Sequence, residues 1–128
     1  MCFDKKYNPL TRKPQPKKAK KDIIVFKVIG RHGNGMIYDL FIKGKNEVWT
    51  PGYWYTEKTP FVGSTFDSFS GWFSVYGNAF HSLKTKILAK DKQTYWGGTK
   101  VVKMIIPKGA LYYENEKEYV SSQIIYPT

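Results

Sequence analysis

The densest group of residues that could do chemistry lies between positions 84 and 108. Seven lysines and one acid, Asp91, fall in this segment, together with Tyr95 and Trp96. Lysine ammonium groups pair with phosphates, and exposed aromatic rings stack on bases. The pattern predicts a phosphate-bearing ligand, either nucleic acid or a nucleotide, and its alternative is a basic surface with no specific ligand.

The residues predicted to contact this ligand combine positive charge with aromatic rings. They are Lys27, Arg31, Lys84, Lys100, Lys103, Lys108, Trp96, Tyr112 and Tyr113. The basic side chains would contact phosphate oxygens, and the rings of Trp96, Tyr112 and Tyr113 would stack on bases. The sequence contains neither an RNP motif nor a DNA-recognition helix, so the pattern indicates the charge of the ligand rather than its sequence.

Metal ligands and catalytic groups are sparse in this sequence. Histidine occurs only at His32 and His81, and the only cysteine is Cys2. A structural zinc site needs several converging Cys, His or carboxylate ligands, so we expect no metal and no cofactor. His81 is the one candidate for a catalytic acid or base or a ligand contact, and its alternative role is a structural histidine in the core.

Three acids, Glu114, Glu116 and Glu118, alternate in a polar stretch near the end of the chain. This spacing could place them along one face of a strand. A catalytic carboxylate requires a special environment, whereas acids in a surface turn remain solvated. We therefore interpret the three glutamates as surface residues.

Length and charge set the class of protein. A chain of 128 residues fits one domain. Its 21 basic and 10 acidic residues give a net charge of +11, which favours nucleic acid, a nucleotide or an acidic protein as partner. The chain has no apolar run of the roughly 20 residues that a membrane span requires, and one cysteine permits no internal disulfide, which suits a reducing cytoplasm.

The first 22 residues differ from the rest in composition. They contain eight Lys or Arg, two Asp and three Pro, which gives a net charge of +6 (eight minus two). Such a segment buries too little apolar surface to offset the entropy of ordering it. We predict a flexible, basic, extended arm over residues 1–22, either a phosphate-binding tail or a solubilising leader, followed by a single domain over residues 23–128.

Two apolar, mostly β-branched runs, residues 23–29 and 100–106, predict central strands. Lys27 interrupts the first run, so it would lie on a partly open face or point into a site. The glycine-rich residues 30–35 predict a hairpin turn rather than a nucleotide loop, because the P-loop lysine and the Rossmann glycine spacing are both missing.

The remaining patterns complete an α+β order of strands, one helix and further strands. They predict a strand over 36–43, short strands at 47–50 and 53–55, a long aromatic-rich connection over 56–78, a helix capped by Ser82 and running to about residue 92, a turn at 107–109 and a final strand over 123–126. The fold class that follows is a single small α+β domain with a twisted, mostly antiparallel sheet and one main helix.

The two ends of the chain resemble a group of small uncharacterised proteins from bacteriophages and gut-bacterial mobile elements. The motifs that carry the resemblance are Met1-Cys2-Phe3 with its basic leader, the strand that begins at Asp22, Phe80-His81-Ser82, the Ile106-Pro107-Lys108-Gly109 turn, Tyr112-Tyr113 and Tyr119-Val120-Ser121-Ser122. Ala79 stands where the group has glycine. The resemblance implies a viral origin, the cytoplasm of a bacterial host cell as location and interference with host defence as a setting.

A second set of positions resembles the ADP-ribosyltransferase-like fold, in which an aromatic-lined pocket encloses a dinucleotide. Lys27, Tyr112, Tyr113 and Ser121 match positions around that pocket, which makes Ser121 a further candidate ligand contact. The family's glutamate ahead of the last strand is replaced here by Gln123. The resemblance implies a nucleotide pocket and, as an alternative function, an enzyme that uses His81. A module that docks on an acidic host protein is the other alternative.

Overall fold

The computed structural model describes residues 3–8, 14–31, 37–39, 49–96 and 100–128. These residues form strands around a single helix. In chain order the elements are β1 (Phe3–Lys6), β2 (Lys17–Lys18), β3 (Ile23–Arg31), β4 (Ile37–Asp39), β5 (Trp54–Thr56), β6 (Gly63–Phe66), β7 (Trp72–Gly77), β8 (Phe80–Leu83), α1 (Lys86–Trp96), β9 (Lys100–Ile106), β10 (Leu111–Glu114), β11 (Glu118–Ser121) and β12 (Gln123–Ile125).

Two antiparallel sheets contain all the strands of the described residues. The larger has nine strands in the order β2-β10-β11-β8-β3-β9-β12-β5, with β4 beside β3, and the smaller has the order β1-β7-β6. Every pairing between described strands is antiparallel. The predicted small, mostly antiparallel fold with one helix is confirmed, although the chain is more β than α.

Strand β3 is the centre of the larger sheet, as its apolar sequence predicts. It pairs with β9 at seven consecutive positions, from Ile23 opposite Ile106 to Ile29 opposite Lys100. Its two faces pack in different cores. Val25 and Ile29 pack with buried residues of β9 and β12 on one face, and Val28 packs with α1 on the other. Burial on both faces explains why the run is almost continuously apolar.

The helix begins after Thr85 rather than after Ser82. The Thr85 Oγ1 accepts a hydrogen bond from the Leu88 N–H at 3.1 Å, which is the geometry of a helix cap. The prediction of Ser82 as the cap is wrong, because Ser82 lies within β8, where its backbone pairs with Tyr119 of β11. In the helix that follows this cap, Ala89 and the half-buried Leu88 pack against the sheet.

We expect Thr85→Ala to lower the free energy of unfolding by about 1 kcal/mol, because the Leu88 N–H loses its acceptor at the helix start. Chemical denaturation measured by circular dichroism tests this. Thr85→Ser, which keeps the hydroxyl oxygen, should unfold close to the wild-type midpoint. An alanine variant as stable as the serine variant would show that this cap contributes nothing.

The segment predicted as a long connection over residues 56–78 instead contains β6 and β7 of the smaller sheet. The sequence pattern hides these strands because glycines flank them and a shift in register occurs between Gly63 and Ser64. The aromatic residues of the segment differ in burial. Phe73 is fully buried beside Phe3, Tyr113 and Val120, whereas Phe69 is exposed.

The structure also differs from the predicted flexible arm over residues 1–22. Within the described residues 3–8 and 14–22, β1 pairs with β7, and β2 pairs with β10. Phe3 is fully buried, and the Tyr113 hydroxyl donates a hydrogen bond to the Pro14 carbonyl at 3.1 Å. Backbone pairing and one buried ring order this segment, while Lys17, for example, remains exposed. The high net charge of residues 1–22 therefore does not prevent the described parts of this segment from being ordered.

Several predictions fall at the edge of the described residues. The register of β3 and β4, with Arg31 opposite Ile37, is that of a hairpin, and the predicted turn residues 32–35 lie outside the described part. Of the predicted strand 36–43, only β4 is described. Residues 47–48 of another predicted strand also lie outside. No helix in the described ranges is long and apolar enough to cross a membrane.

Candidate functional site

A surface pocket of about 600 Å³ lies between β1 and the turn that joins β10 to β11. Its lining combines lysines, carboxylates, an amide and one indole ring. The lining residues are Asp4, Lys5, Lys6, Trp72, Lys84, Glu114, Asn115, Glu116, Lys117 and Glu118. The volume falls within the range of small-molecule sites in proteins.

Asn115 holds the two walls of this pocket together. Its amide nitrogen donates to the Asp4 carbonyl of β1 at 3.0 Å. Its Oδ1 accepts from the backbone N–H groups of Lys117 and Glu118, at 2.9 and 2.7 Å, which closes the β10–β11 turn. Asparagine is suited to this position because its short side chain bonds to backbone groups two and three residues ahead. The turn is therefore fixed against β1.

Pairing of β1 with β7 brings Lys6 directly opposite Trp72. Paired residues in an antiparallel sheet lie on the same face, and the Lys6 Nζ is 5.9 Å from the Trp72 ring centroid. Trp72 is 48% exposed, so one part of its ring remains available to a ligand. A cation beside an exposed indole is an arrangement that can bind an anionic group and a planar ring together.

Lys84 contacts both a carboxylate and an aromatic ring at the pocket. Its Nζ lies 3.1 Å from Glu114 Oε2 and 5.1 Å from the Tyr119 ring centroid. Partial burial raises the pKa of Glu114, but hydrogen bonds and charge from Lys84 and Lys17 outweigh it and leave that pKa below its usual value. Glu114 therefore remains ionised at neutral pH and holds Lys84 in place.

The pocket carries as many acids as lysines. Its lining includes Lys5, Lys6, Lys84 and Lys117 and the acids Asp4, Glu114, Glu116 and Glu118. Such a lining can accept hydrogen bonds from hydroxyl or amino groups of a ligand and also pair with its anionic groups. A small ligand that contains both kinds of group is the best chemical match.

Of the predicted ligand contacts whose side chains the structure describes, only Lys84 lines this pocket. Lys27, Tyr113 and Ser121 are buried inside the fold instead. Burial raises the pKa of the Tyr113 hydroxyl to about 12, so it serves the structure as a hydrogen-bond donor to Pro14. The structure does not bring these three residues to a surface where a ligand could reach them.

The other predicted contacts with described side chains are not part of the pocket lining. Lys100, Lys103 and Lys108 are exposed on β9 and the turn that follows it. Tyr112 is half-buried on β10, where its ring packs 5.8 Å from that of Tyr119. Arg31 ends β3 and Trp96 ends α1, and both side chains lie outside the described part of the structure.

His81 lies in the core, with 5% of its surface exposed. Burial and the nearby charge of Lys27 lower the pKa of the imidazole to about 3. Within the described residues, neither ring nitrogen has a hydrogen-bond partner. Its carbonyl accepts a hydrogen bond from the Lys27 Nζ, which lies 5.4 Å from the Trp49 ring centroid. This burial suits the structural role for His81 and gives a substrate no access to it.

Among the described residues, no group of three or more His, Cys, Asp or Glu side chains is placed to hold a metal ion. The lysine-rich segment was predicted from the sequence as a ligand-binding region. The pocket residues Trp72, Lys5, Lys6 and Asn115 were not predicted as ligand contacts. The adjacent Lys5 and Lys6 were visible only as part of the basic leader. Their contribution depends on the pairing of β1 with β7.

Comparison of the chain with protein-family models, curated protein sequences and solved structures finds no match. The class of the protein therefore comes from its own fold and site. It is a small, largely β protein of the α+β type with a mixed-charge surface pocket.

Proposed function

We propose that the protein binds a phosphate-bearing small molecule of the nucleotide type in the pocket between β1 and the β10–β11 turn. One observation carries the proposal: four lysines and a half-exposed indole line a single space of about 600 Å³. A nucleotide offers a planar base for the indole and phosphate oxygens for the ammonium groups.

Each part of the ligand has a matching group in the pocket. Lys5, Lys6 and Lys117 would pair with phosphate oxygens, while the base stacks on Trp72. The carboxylates would accept hydrogen bonds from sugar hydroxyls or base amino groups, as acidic residues do in other nucleotide sites. Lys84 is already paired with Glu114, so its role is to fix that carboxylate.

The equal numbers of lysines and acids favour a nucleotide over nucleic acid in this pocket. A polyanion that passed across it would meet four carboxylate residues as well as four lysines. Nucleic-acid binding also weakens steeply with salt, in proportion to the number of phosphates neutralised. A single nucleotide engages only a few charges, so its affinity should depend weakly on ionic strength.

The resemblance of the chain ends to bacteriophage proteins suggests a biological setting for this proposal. A small protein that sequesters a signalling nucleotide would interfere with host defence without catalysing a reaction. The protein then requires a pocket and no catalytic group, which agrees with the burial of His81.

Isothermal titration with ATP, GTP, AMP and a cyclic dinucleotide tests the proposal. We expect binding of at least one of them, and Lys6→Gln should weaken it by about tenfold, because a hydrogen bond to a charged group contributes about 1.5 kcal/mol or more. Lys58→Gln is the matched control, since Lys58 is exposed and lies outside the pocket lining. No binding of any of the four at millimolar concentration, or equal losses in both variants, contradicts the proposal.

A further inference from the structure

An apolar row crosses the larger sheet on the face that also packs against α1. Ile24 of β3 is opposite Ile105 of β9, Ile105 is opposite Ile125 of β12, and Ile125 is opposite Trp54 of β5. Directly paired residues of antiparallel strands lie on the same face, so these four side chains form one continuous line. We call this line the apolar row.

The two ends of the apolar row are open to solvent. Ile24 is 54% exposed and Trp54 is 58% exposed, while Ile105 and Ile125 between them are half-buried. Helix α1 covers the same face of the sheet farther along, where it packs against Val28 and Val101. The described helix residues that pack on this face, Leu88 and Ala89, cluster with no residue of the row. Contiguous apolar surface of this kind marks a binding site on a soluble protein.

Trp54 is held in position for such a contact. Its Nε1 donates a hydrogen bond to Gln123 Oε1 at 2.7 Å. Gln123 lies on β12, two residues before Ile125, so this bond ties the indole to the neighbouring strand. An aromatic ring whose orientation is already fixed loses little entropy on binding, which is why such rings are frequent anchors of interfaces.

The described charges around the apolar row are mostly positive, although one exposed acid, Asp22, lies two residues before Ile24 and accepts a hydrogen bond from the Lys108 N–H at 2.8 Å. Lys103 is exposed on β9, two residues from Ile105 and on the same face, between the row and α1. The helix adds Lys86 and Lys90, both exposed, against one described acid, Asp91. The chain as a whole carries a net charge of +11. An apolar line with basic surroundings matches an apolar stripe that is flanked by carboxylates.

We propose that the apolar row docks an amphipathic segment of an acidic partner protein. The apolar side chains of that segment cover Ile24, Ile105, Ile125 and Trp54, and its carboxylates pair with Lys103 and the lysines of α1. This surface is separate from the pocket, so the proposal does not depend on nucleotide binding.

Charge and side-chain type favour this occupant over two others. A second copy of the chain would bring the same lysines against Lys103, and like charges across an interface are unfavourable. Nucleic acid would pair with the lysines, but three of the four row residues are isoleucines, on which bases do not stack as they do on aromatic rings. Apolar protein side chains pack well against isoleucine.

Fluorescently labelled amphipathic peptides of one length and one leucine face provide a defined probe. Three versions carry glutamate, glutamine or lysine on the polar face. By fluorescence anisotropy we expect the glutamate peptide to bind at least about tenfold more tightly than the lysine peptide, because charge complementarity contributes to recognition. Ile24→Ser and Trp54→Ser should each weaken its binding by about tenfold, since a buried anchor contributes more than about 1 kcal/mol.

Matched variants distinguish binding at the apolar row from nonspecific hydrophobic binding. Val62→Ser changes a side chain that is 69% exposed and outside the apolar row, so it should leave peptide binding unchanged. Lys103→Glu should weaken the glutamate peptide and strengthen the lysine peptide. Lys6→Gln, which tests the pocket, should affect neither. Thermal unfolding of each variant checks that it folds.

Four results would overturn the proposal. The first is equal affinity for the glutamate and lysine peptides. The second is equal loss of binding in the Val62→Ser and Trp54→Ser variants. The third is a wild-type dimer in analytical ultracentrifugation that Trp54→Ser dissociates, which would assign the row to a second copy. The fourth is a single-stranded oligonucleotide that displaces the glutamate peptide and loses affinity in Ile24→Ser.

Discussion

Phe3→Ala should lower the free energy of unfolding by about 3 kcal/mol or more, the usual cost of removing a buried phenylalanine from a core. Phe3 is fully buried although it is near the start of the chain. Its ring packs with Phe73 and Val75 of β7 and with Tyr113 and Val120 of the larger sheet. Truncation to alanine leaves a cavity at the junction of the two sheets.

Phe69→Ala is the matched control for this experiment. The same ring is removed there from a side chain that is 94% exposed, so the stability should change by no more than about 0.5 kcal/mol. Equilibrium unfolding in urea measures both variants. If Phe3→Ala is as stable as Phe69→Ala, β1 does not pack as the structure describes, and the flexible arm predicted from composition is the better description.

The same substitution connects stability with the proposed function. β1 carries Asp4, Lys5 and Lys6 into the pocket, and its register with β7 places Lys6 opposite Trp72. Loss of the Phe3 anchor should therefore weaken nucleotide binding even at temperatures where the larger sheet remains folded. Phe69→Ala should bind nucleotide as the wild type does, because Phe69 is not part of the lining.

The sequence was sufficient to predict elements whose signal is continuous along the chain. β3 and β9 are runs rich in β-branched residues, and they were predicted close to their bounds. The final strand β12 was predicted for the same reason. Such runs are stabilised by their own side chains wherever the sheet forms, so local sequence determines them.

The elements that the sequence did not predict depend on partners distant in the chain. β1 and β7 are distant in the chain, and Phe3 pairs with Val75, 72 positions later. Neither strand has a strong pattern of its own, and β7 lies between β1 and β6 in the smaller sheet. The helix start was misplaced for a related reason: Ser82 is a good cap residue, but pairing of β8 with β11 commits its backbone to the sheet.

The candidate site could not be predicted because its residues come from four separate parts of the chain. The density of lysines along the sequence predicted a binding site at positions 84–108. However, Lys100 and Lys103 lie on β9, away from the pocket that Lys84 lines. Density along a sequence measures charge per residue, whereas a pocket requires convergence in space. The acids predicted to be solvated, such as Glu114, balance the lysines of that pocket.

Acid should destabilise the protein through His81. The folded state holds this imidazole with a pKa of about 3, against the ordinary value of 6.5 that applies in the unfolded chain. Below about pH 6.5 the unfolded state binds a proton that the folded state does not, so stability falls as the pH falls toward 3. The stability that the neutral imidazole contributes is fully present above pH 6.5. As the pH falls below 6.5, this stability is lost at up to about 1.4 kcal/mol per pH unit.

The physical cause is the surroundings of the ring. His81 is opposite Val120 in the β8–β11 pairing, and Val120 belongs to the apolar cluster that contains Phe3 and Phe73. An imidazolium there would lose its hydration, with no described hydrogen-bond acceptor at either ring nitrogen, and would be repelled by Lys27. Desolvation is the larger effect, so Lys27→Met should raise the pKa of His81 but leave it below the ordinary value.

His81→Leu is the variant that isolates this effect. It removes the titrating group and the unpaired ring nitrogens while it keeps an apolar side chain in the cluster. Between about pH 7 and pH 4.5 the wild type should lose about 3 kcal/mol more stability than the variant, because the carboxylates titrate in both. Urea unfolding at several pH values measures the difference. Two results would contradict the prediction: equal dependence of stability on pH in the two proteins, or a His81 ring signal that titrates near pH 6.5 by NMR. Either result would show that the imidazole is accessible to solvent, and His81 would again be a candidate catalytic residue.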